Sequence, residues 1–374
     1  MSRRIDLLSA AGLLLLLLAF AVPAGRTDAG AAYWTGQSGL AVVGLVIAAV
    51  LAGWSAVQRP RGLLAGLVLA AGIAAAALAP LHLLGAGLTL DTDAPALWLA
   101  VAGLLCLTWR ALEILAATPA NRIVHDVLVP GLFGIWLLYL WEIIVGGFAI
   151  PRVLLPSPSQ IGHVIAASLD VLAQDFRQTF LKSVLAGFVL GSGSGFLAAI
   201  LIDRSPFLQR GLLPLGSLVS AIPIVGIAPI MVMWFGFDWQ SKAAVIVVMT
   251  FFPMLVNALT GLHAAGDMER DLMRSYAAGY WQTLLRLRLP NALPFIFNAL
   301  KINSTLSLIG AIVAEFFGTP IVGMGFRIST EVGRMNIEMV WATIAVAALA
   351  GSLFYAALAL AERTLTFWHP SYRQ

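Results

Sequence analysis

The chain has 374 residues, 60% of them hydrophobic and only 11% charged, with a mean hydropathy of +0.93. Soluble domains carry about 25% charged residues, so the composition excludes a soluble globular protein and indicates an integral membrane protein. The net charge of +4 does not point to nucleic acid, because no basic patch with interleaved aromatics lies outside the membrane-flanking loops. The single cysteine, Cys106, excludes an intramolecular disulfide and a cysteine metal cluster.

In chain order, Arg3 and Arg4 precede an apolar run, 7–22, that holds six consecutive leucines. The run exceeds the usual leader-peptide core of about 7–15 residues, so it reads as a first span. A cleaved leader ending at Ala19-Phe20-Ala21 is the alternative. Runs at 39–57, 62–84 and 96–116 follow, rich in the Gly and Ala that let helices pack closely in lipid. Beyond a polar link, 118–126, come runs at 128–148, 180–202, 213–235, 243–262, 295–317 and 339–360. Crossing a bilayer takes about 20 helical residues, so the sequence predicts ten spans: four in 1–120 and six in 121–374. The link 151–178 carries Leu155-Pro156-Ser157-Pro158-Ser159 and the pattern of a short amphipathic helix at 161–172.

With the N-terminus inside, 15 of the 22 Lys and Arg residues fall on the cytoplasmic side, the direction the positive-inside rule demands. Both termini are then cytoplasmic, and the acidic loop at Asp91 and Asp93 lies outside.

One long polar passage, 267–290, separates two of these spans and lands in the cytoplasm. Asp267 and Glu269 open it and Arg286 and Arg288 close it, as helix ends prefer. Leu272, Met273 and Tyr276, then Trp281, Leu284 and Leu285, recur at spacings of three and four. The pattern predicts two short surface helices with a bend near Gly279, ended by Leu289-Pro290. Such a shape suits docking into a groove on another protein.

This passage resembles the cytoplasmic coupling loop of permeases in binding-protein-dependent ATP-binding-cassette importers. That family's pattern is Glu-Ala-Ala, three residues, Gly, nine residues, Ile, one residue, Leu-Pro. Anchored on Leu289-Pro290, it places Leu287 at the Ile, Ala277 at the Gly and Asp271 at the Glu. The departures are Asp for Glu, Leu272-Met273 for Ala-Ala, and Ala277 for Gly. Within 122–374 the sequence is most similar to nitrate/sulfonate/taurine-type permeases. Leu155-Pro156-Ser157-Pro158-Ser159, Ala221-Ile222-Pro223, Ala228-Pro229, Leu293-Pro294 and Trp368-His369-Pro370 carry that likeness in order. The passages 272–276 and 297–301 lean toward members importing heterocyclic vitamin precursors or pyrimidine-like compounds.

The resemblance implies an all-α integral membrane protein: a six-helix type I importer core, 121–374, preceded by four accessory spans in 1–120. It implies a bacterial inner-membrane subunit that pairs with a second permease copy, surrounded by lipid. Separate ATPase subunits would dock on the coupling loop, and an extracytoplasmic binding protein would deliver a small polar solute. The coupling residues it implies are Asp271, Tyr276, Ala277, Gly279, Leu287, Leu289 and Pro290. No cofactor or metal is expected in this chain.

Other readings are weaker. Gly191-Ser192-Gly193-Ser194-Gly195 reads as a helix-packing face, since none of the three lysines (Lys182, Lys242, Lys301) completes a phosphate-binding loop. The chain therefore needs a separate ATPase. The five histidines have no helical ligand spacing. Pro223, Gly226 and Pro229 break the third core span, and irregular backbone at membrane depth belongs in protein or beside a water-filled cavity. They are candidate pathway residues, as is Glu315, which leads into the glycine-rich loop 318–325. A self-sufficient secondary transporter would need a deep coupling acid and usually an internal repeat. Neither is visible, and no nucleophile–base or metal constellation supports a membrane enzyme.

Overall fold

In a bilayer every backbone N–H and C=O must be satisfied within the protein, so a chain this apolar crosses as helices or as a closed barrel. The computed structural model describes residues 6–27, 30–36, 39–85, 94–118, 123–205, 207, 211, 222–318 and 322–368, and they are helical almost throughout. A hairpin of two three-residue strands, Gly25–Thr27 and Gly30–Ala32, is the small departure. The chain divides into two compact units, Met1–Gln160 and Ile161–Gln374.

In the N-terminal unit, α1 (Leu7–Ala21), α2 (Gly39–Gln58), α3 (Leu63–Gly85) and α4 (Pro95–Ala116) pack in a closed circuit, α1 on α2, α2 on α3, α3 on α4 and α4 on α1. Their shared core is leucine and alanine, including Leu16, Leu45, Leu69, Leu97 and Leu104. A π-helical turn, Val124–Leu128, leads into α5 (Val129–Gly147), which packs on α3 and α4. The expected first core span thus falls in the N-terminal unit. The Leu-Pro-Ser-Pro-Ser passage is tied back to α5, because the amide and hydroxyl of Ser159 donate to Glu142 at 2.8 and 2.7 Å.

Helix α6 (Pro158–Ala167) begins at the end of the N-terminal unit, and in the C-terminal unit α7 (Leu169–Phe176) precedes a π-helical run, Arg177–Val184, and α8 (Leu185–Asp203). Helix therefore continues from Leu169 to Asp203, where the sequence predicts a link reaching 178 with a short helix at 161–172. Nothing between His163 and Ala186 is a helix breaker, and the polar Asp175, Gln178 and Thr179 are buried where they find partners. Then come α9 (Ile224–Phe235), α10 (Trp239–His263), α11 (Asp267–Ser275), α12 (Tyr280–Thr283), α13 (Leu289–Glu315), α14 (Met324–Gly333) and α15 (Ile337–Leu365). Helices α8, α10 and α13 form the centre of the unit. A Cβ at Gly191 or Gly195 would collide with Thr250 Oγ1 or the Phe251 carbonyl, whereas Gly193 faces open space. The glycine-serine run is therefore a packing face of α8 against α10. Asn303 Nδ2 fastens all three helices, donating to Ser192 Oγ at 2.9 Å and to the Thr250 carbonyl at 2.8 Å.

Among the described residues, eight helical stretches are long and apolar enough to cross a membrane. The expected first span, α1, is only 15 residues long because Val22-Pro23 ends it. Of the expected span 213–235, residues 213–221 lie outside the described residues, as do Asp91 and Asp93, residues 319–321 and His369-Pro370.

Candidate functional site: the 267–290 segment and its root

Gly266 turns the chain out of α10, and Asp267 and Glu269 sit in the first turn of α11. No residue of α11 is buried. Met268, Leu272 and Tyr276, four residues apart, line one helix face with 85%, 57% and 78% exposure. Trp281 and Leu285 repeat the pattern after the bend. Large apolar side chains aligned in the open mark an interaction surface. Asp271 is also exposed and pairs with Arg274 across one turn at 3.0 Å.

The bend itself lies at Ala277, whose φ is +53°. The amides of Ala277 and Ala278 return to the carbonyls of Arg274 and Met273 at 2.9 and 3.0 Å, closing a left-handed helix cap of the kind glycine favours. Gly279, expected at the bend, is extended (φ −71°, ψ 170°) and starts α12, with its N–H bonded to Gln282 Oε1 at 3.1 Å. Leu289-Pro290 does not stop the segment either. Helix runs unbroken from Tyr280 to Glu315 through a π-helical turn, Leu284–Arg288. Pro290 lies inside that continuous helix directly after the π-helical turn, where the Leu289 amide returns to the Leu284 carbonyl and the wider turn accommodates a residue without an N–H. Leu287, Leu289 and Pro290 are half-buried there, at the root, while Asp271, Tyr276, Ala277 and Gly279 form the protruding tip.

The root converges on Asp203, the last residue of α8, whose side chain is 1% exposed. Arg288 grips both carboxylate oxygens, at 2.5 and 2.8 Å. The Tyr280 hydroxyl donates to Oδ2 at 2.9 Å, and His263 Nε2 lies 2.9 Å from Oδ1. Arg288 Nε also donates to the Leu262 carbonyl, and Arg270 to the His263 carbonyl. Arg204 lies 5.3 Å above the Tyr280 ring. Beneath them Leu262, Leu284 and Ala292 form a small apolar core. One buried carboxylate thus ties α8, α10, α12 and α13 together. Sequence reading missed Asp203, His263, Tyr280 and Arg288 as a set. The available signal was an acid closing an apolar run at the same membrane level as the segment.

The pathway candidates lie apart from this root. Pro223 caps α9, with the Gly226 amide bonded to its carbonyl at 2.9 Å, and Pro229 sits inside the helix. Beside them a cleft of about 200 Å³ is lined by Ile222, Ile227, Met249, Pro253 and Leu306. Glu315 ends α13 about 40 Å from Leu289 at 1.5 Å per residue. It is 2% exposed and accepts from the Thr179 hydroxyl at 2.8 Å and the Gly325 amide at 2.7 Å. Asp175 completes the network, accepting from the Gly323 amide and from Arg327, both at 2.8 Å. Glu315 therefore fastens α14 to α13 and to the π-helical run. Nearby Lys242, also buried, donates to the carbonyls of Phe237 and Gly318.

A profile of the family described as binding-protein-dependent transport system inner membrane component matches residues 187–366, which include the whole segment and its root. The formylaminopyrimidine transport permease protein ThiX of Halalkalibacterium halodurans is 33% identical over 248 residues, 65% of this chain and 97% of that protein. The chain belongs to this family. The riboflavin transport system permease protein RibX of Chloroflexus aurantiacus is 28% identical, over 63% of this chain and 86% of that one. The taurine transport system permease protein TauC of Escherichia coli is also 28% identical, over 62% and 86%. This chain is accordingly a multi-pass, all-α transport permease subunit of an ATP-driven importer, and the relatives give no support to a self-sufficient secondary transporter.

Proposed function

We propose that the 267–290 segment is the element through which a separate ATPase drives this permease. The observation that carries the reading is the pairing of an unpartnered apolar face on α11 with a rigid root at Asp203. The exposed face offers Leu272 and Tyr276 to a groove on the ATPase. The root passes its displacement to α8, α10 and α13 as rigid bodies, which is how packed helices transmit switching. Closure of an ATPase dimer then moves two permease copies between outward- and inward-open states.

In this reading both termini and the segment face the bacterial cytoplasm, and the Glu315 end faces the extracytoplasmic binding protein. Residues 121–374 act as the permease core and 1–120 as an added module. The cleft beside Pro223, Gly226 and Pro229 belongs to the substrate pathway. Its isoleucine and methionine lining, with the likeness to permeases named for formylaminopyrimidine and riboflavin, favours a small heterocyclic compound over nitrate or a sulfonate. Reconstitution of the permease with its ATPase and binding protein tests the assignment. ATP-dependent uptake of a heterocycle that is lost on shortening α11 supports it, and uptake by the isolated permease contradicts it.

A further inference from the structure

At one end of the N-terminal unit the helix termini frame an open cavity of about 470 Å³. Its walls come from the N-cap of α1 (Asp6), the α2–α3 link (Arg59, Arg61, Gly62) and the last turns of α4 (Arg110, Glu113). Among these residues three guanidiniums meet two carboxylates, a surplus of one positive charge. Both carboxylates are already held. Asp6 accepts from the Ser9 hydroxyl at 2.5 Å and lies 3.2 Å from Arg110 Nε. Glu113 accepts from Trp109 Nε1 at 3.0 Å and from Arg110 Nη1 at 3.1 Å. A guanidinium has more N–H donors than those two contacts use, so Arg110 is fixed in place with donors to spare.

The link is bent to fit. Arg59 has φ +47° and Gly62 φ +94°, so two left-handed residues bracket Arg61. An arginine rarely adopts that backbone, and such strain collects at ligand sites. Helices α2, α3 and α4 are of spanning length and end here, which sets the cavity at headgroup depth. Leu64 and Val68, on the first turns of α3, which starts directly after Gly62, are exposed.

We propose that this cavity binds a phosphate group, gripped by Arg59 and Arg61 with Arg110 as its floor. Planar guanidiniums match phosphate oxygens two at a time. The group arrives either on an anionic phospholipid, whose acyl chains lie along α3, or as free phosphate. The site lies in the unit outside the matched family region 187–366, and it stands or falls independently of the coupling segment.

Native mass spectrometry of the full-length protein, titrated with phosphatidylglycerol, phosphatidylcholine or inorganic phosphate, tests the site. The expected result is preferential retention of phosphatidylglycerol, weakened about fivefold by Arg61→Gln and further by Arg59→Gln with Arg61→Gln. If inorganic phosphate displaces the lipid with the same arginine dependence, the phosphate site is right and its source is soluble. Equal retention of both lipids, or retention unaffected by the double substitution, overturns the proposal. Should the glutamine pair fail to fold, Arg59→Lys with Arg61→Lys replaces it, keeping charge and losing the fork. Retention by that pair within about twofold of wild type also overturns it.

Discussion

Arg288 and Asp203, 85 positions apart in sequence, form a two-pronged ion pair at 2.5 and 2.8 Å with the carboxylate side chain 1% exposed. It sits where the last turn of α8 meets the start of α13, at the root of the 267–290 segment. A force applied to α11 thus reaches the core through a joint with little freedom.

Breaking that joint from one side should be costly. Removing one partner of a buried pair typically costs about 3–5 kcal/mol, because the other charge is left unpaired. We expect Asp203→Ala to lower the thermal unfolding midpoint in detergent and to abolish coupled transport. Asp203→Ala with Arg288→Met should recover much of the stability, since no lone charge remains, yet stay uncoupled. Recovery of transport along with stability would show that the pair is only a packing element.

Backbone geometry at Ala277 gives a second expectation. A β-branched residue at φ +53° is a conformational outlier, whereas glycine is at ease there. Ala277→Val should therefore cost about 1–2 kcal/mol and reduce ATPase co-purification. Ala277→Gly should keep both. Identical behaviour of the two variants would mean that the bend does not govern docking.

How much was legible beforehand follows from where the information sits. The apolar runs that became α2, α3, α4, α10 and α15 declared themselves by composition, since bilayer crossing needs only length and hydropathy. The importer spacing anchored on Leu289-Pro290 put Ala277 at the family's glycine, the residue that takes the left-handed turn. Reading Gly279 as the bend misjudged it by treating glycine content as a turn signal, when Gly279 serves as an N-cap. Leu289-Pro290 misled as well, because a proline that a π-helical turn accommodates inside a helix looks in sequence like one that stops it. The Asp203 root showed in sequence only as an acid closing an apolar run, because its partners come from three later helices and no local pattern links an acid at 203 to an arginine at 288. Continuous helix through Arg177–Val184 was hidden by polar residues that are buried rather than looped.

At the opposite end, Glu315 should act as a fastener. Glu315→Ala strands the Thr179 hydroxyl and the Gly325 amide in a buried site, at about 1–3 kcal/mol for each unmet group. Its effect should shrink when Thr179→Val is already present, because the two share one network. Unfolding midpoints of the two single variants and the double variant check this. Additive losses would mean that Glu315 and Thr179 act separately.

The most direct measurement is co-purification of the ATPase with the Tyr276→Ala, Asp271→Ala double variant, alongside uptake by the reconstituted importer. Truncating an interface anchor such as Tyr276 typically costs about 2 kcal/mol or more, over tenfold in affinity. Asp271, exposed and in a surface pair with Arg274, should cost fold stability a few tenths of a kcal/mol at most, roughly the worth of such a helix pair. We expect the variant to insert normally, to bind its extracytoplasmic partner, and to lose both the ATPase and coupled uptake. Full ATPase retention with uptake at the parent rate would contradict the assignment of 267–290 as the coupling element.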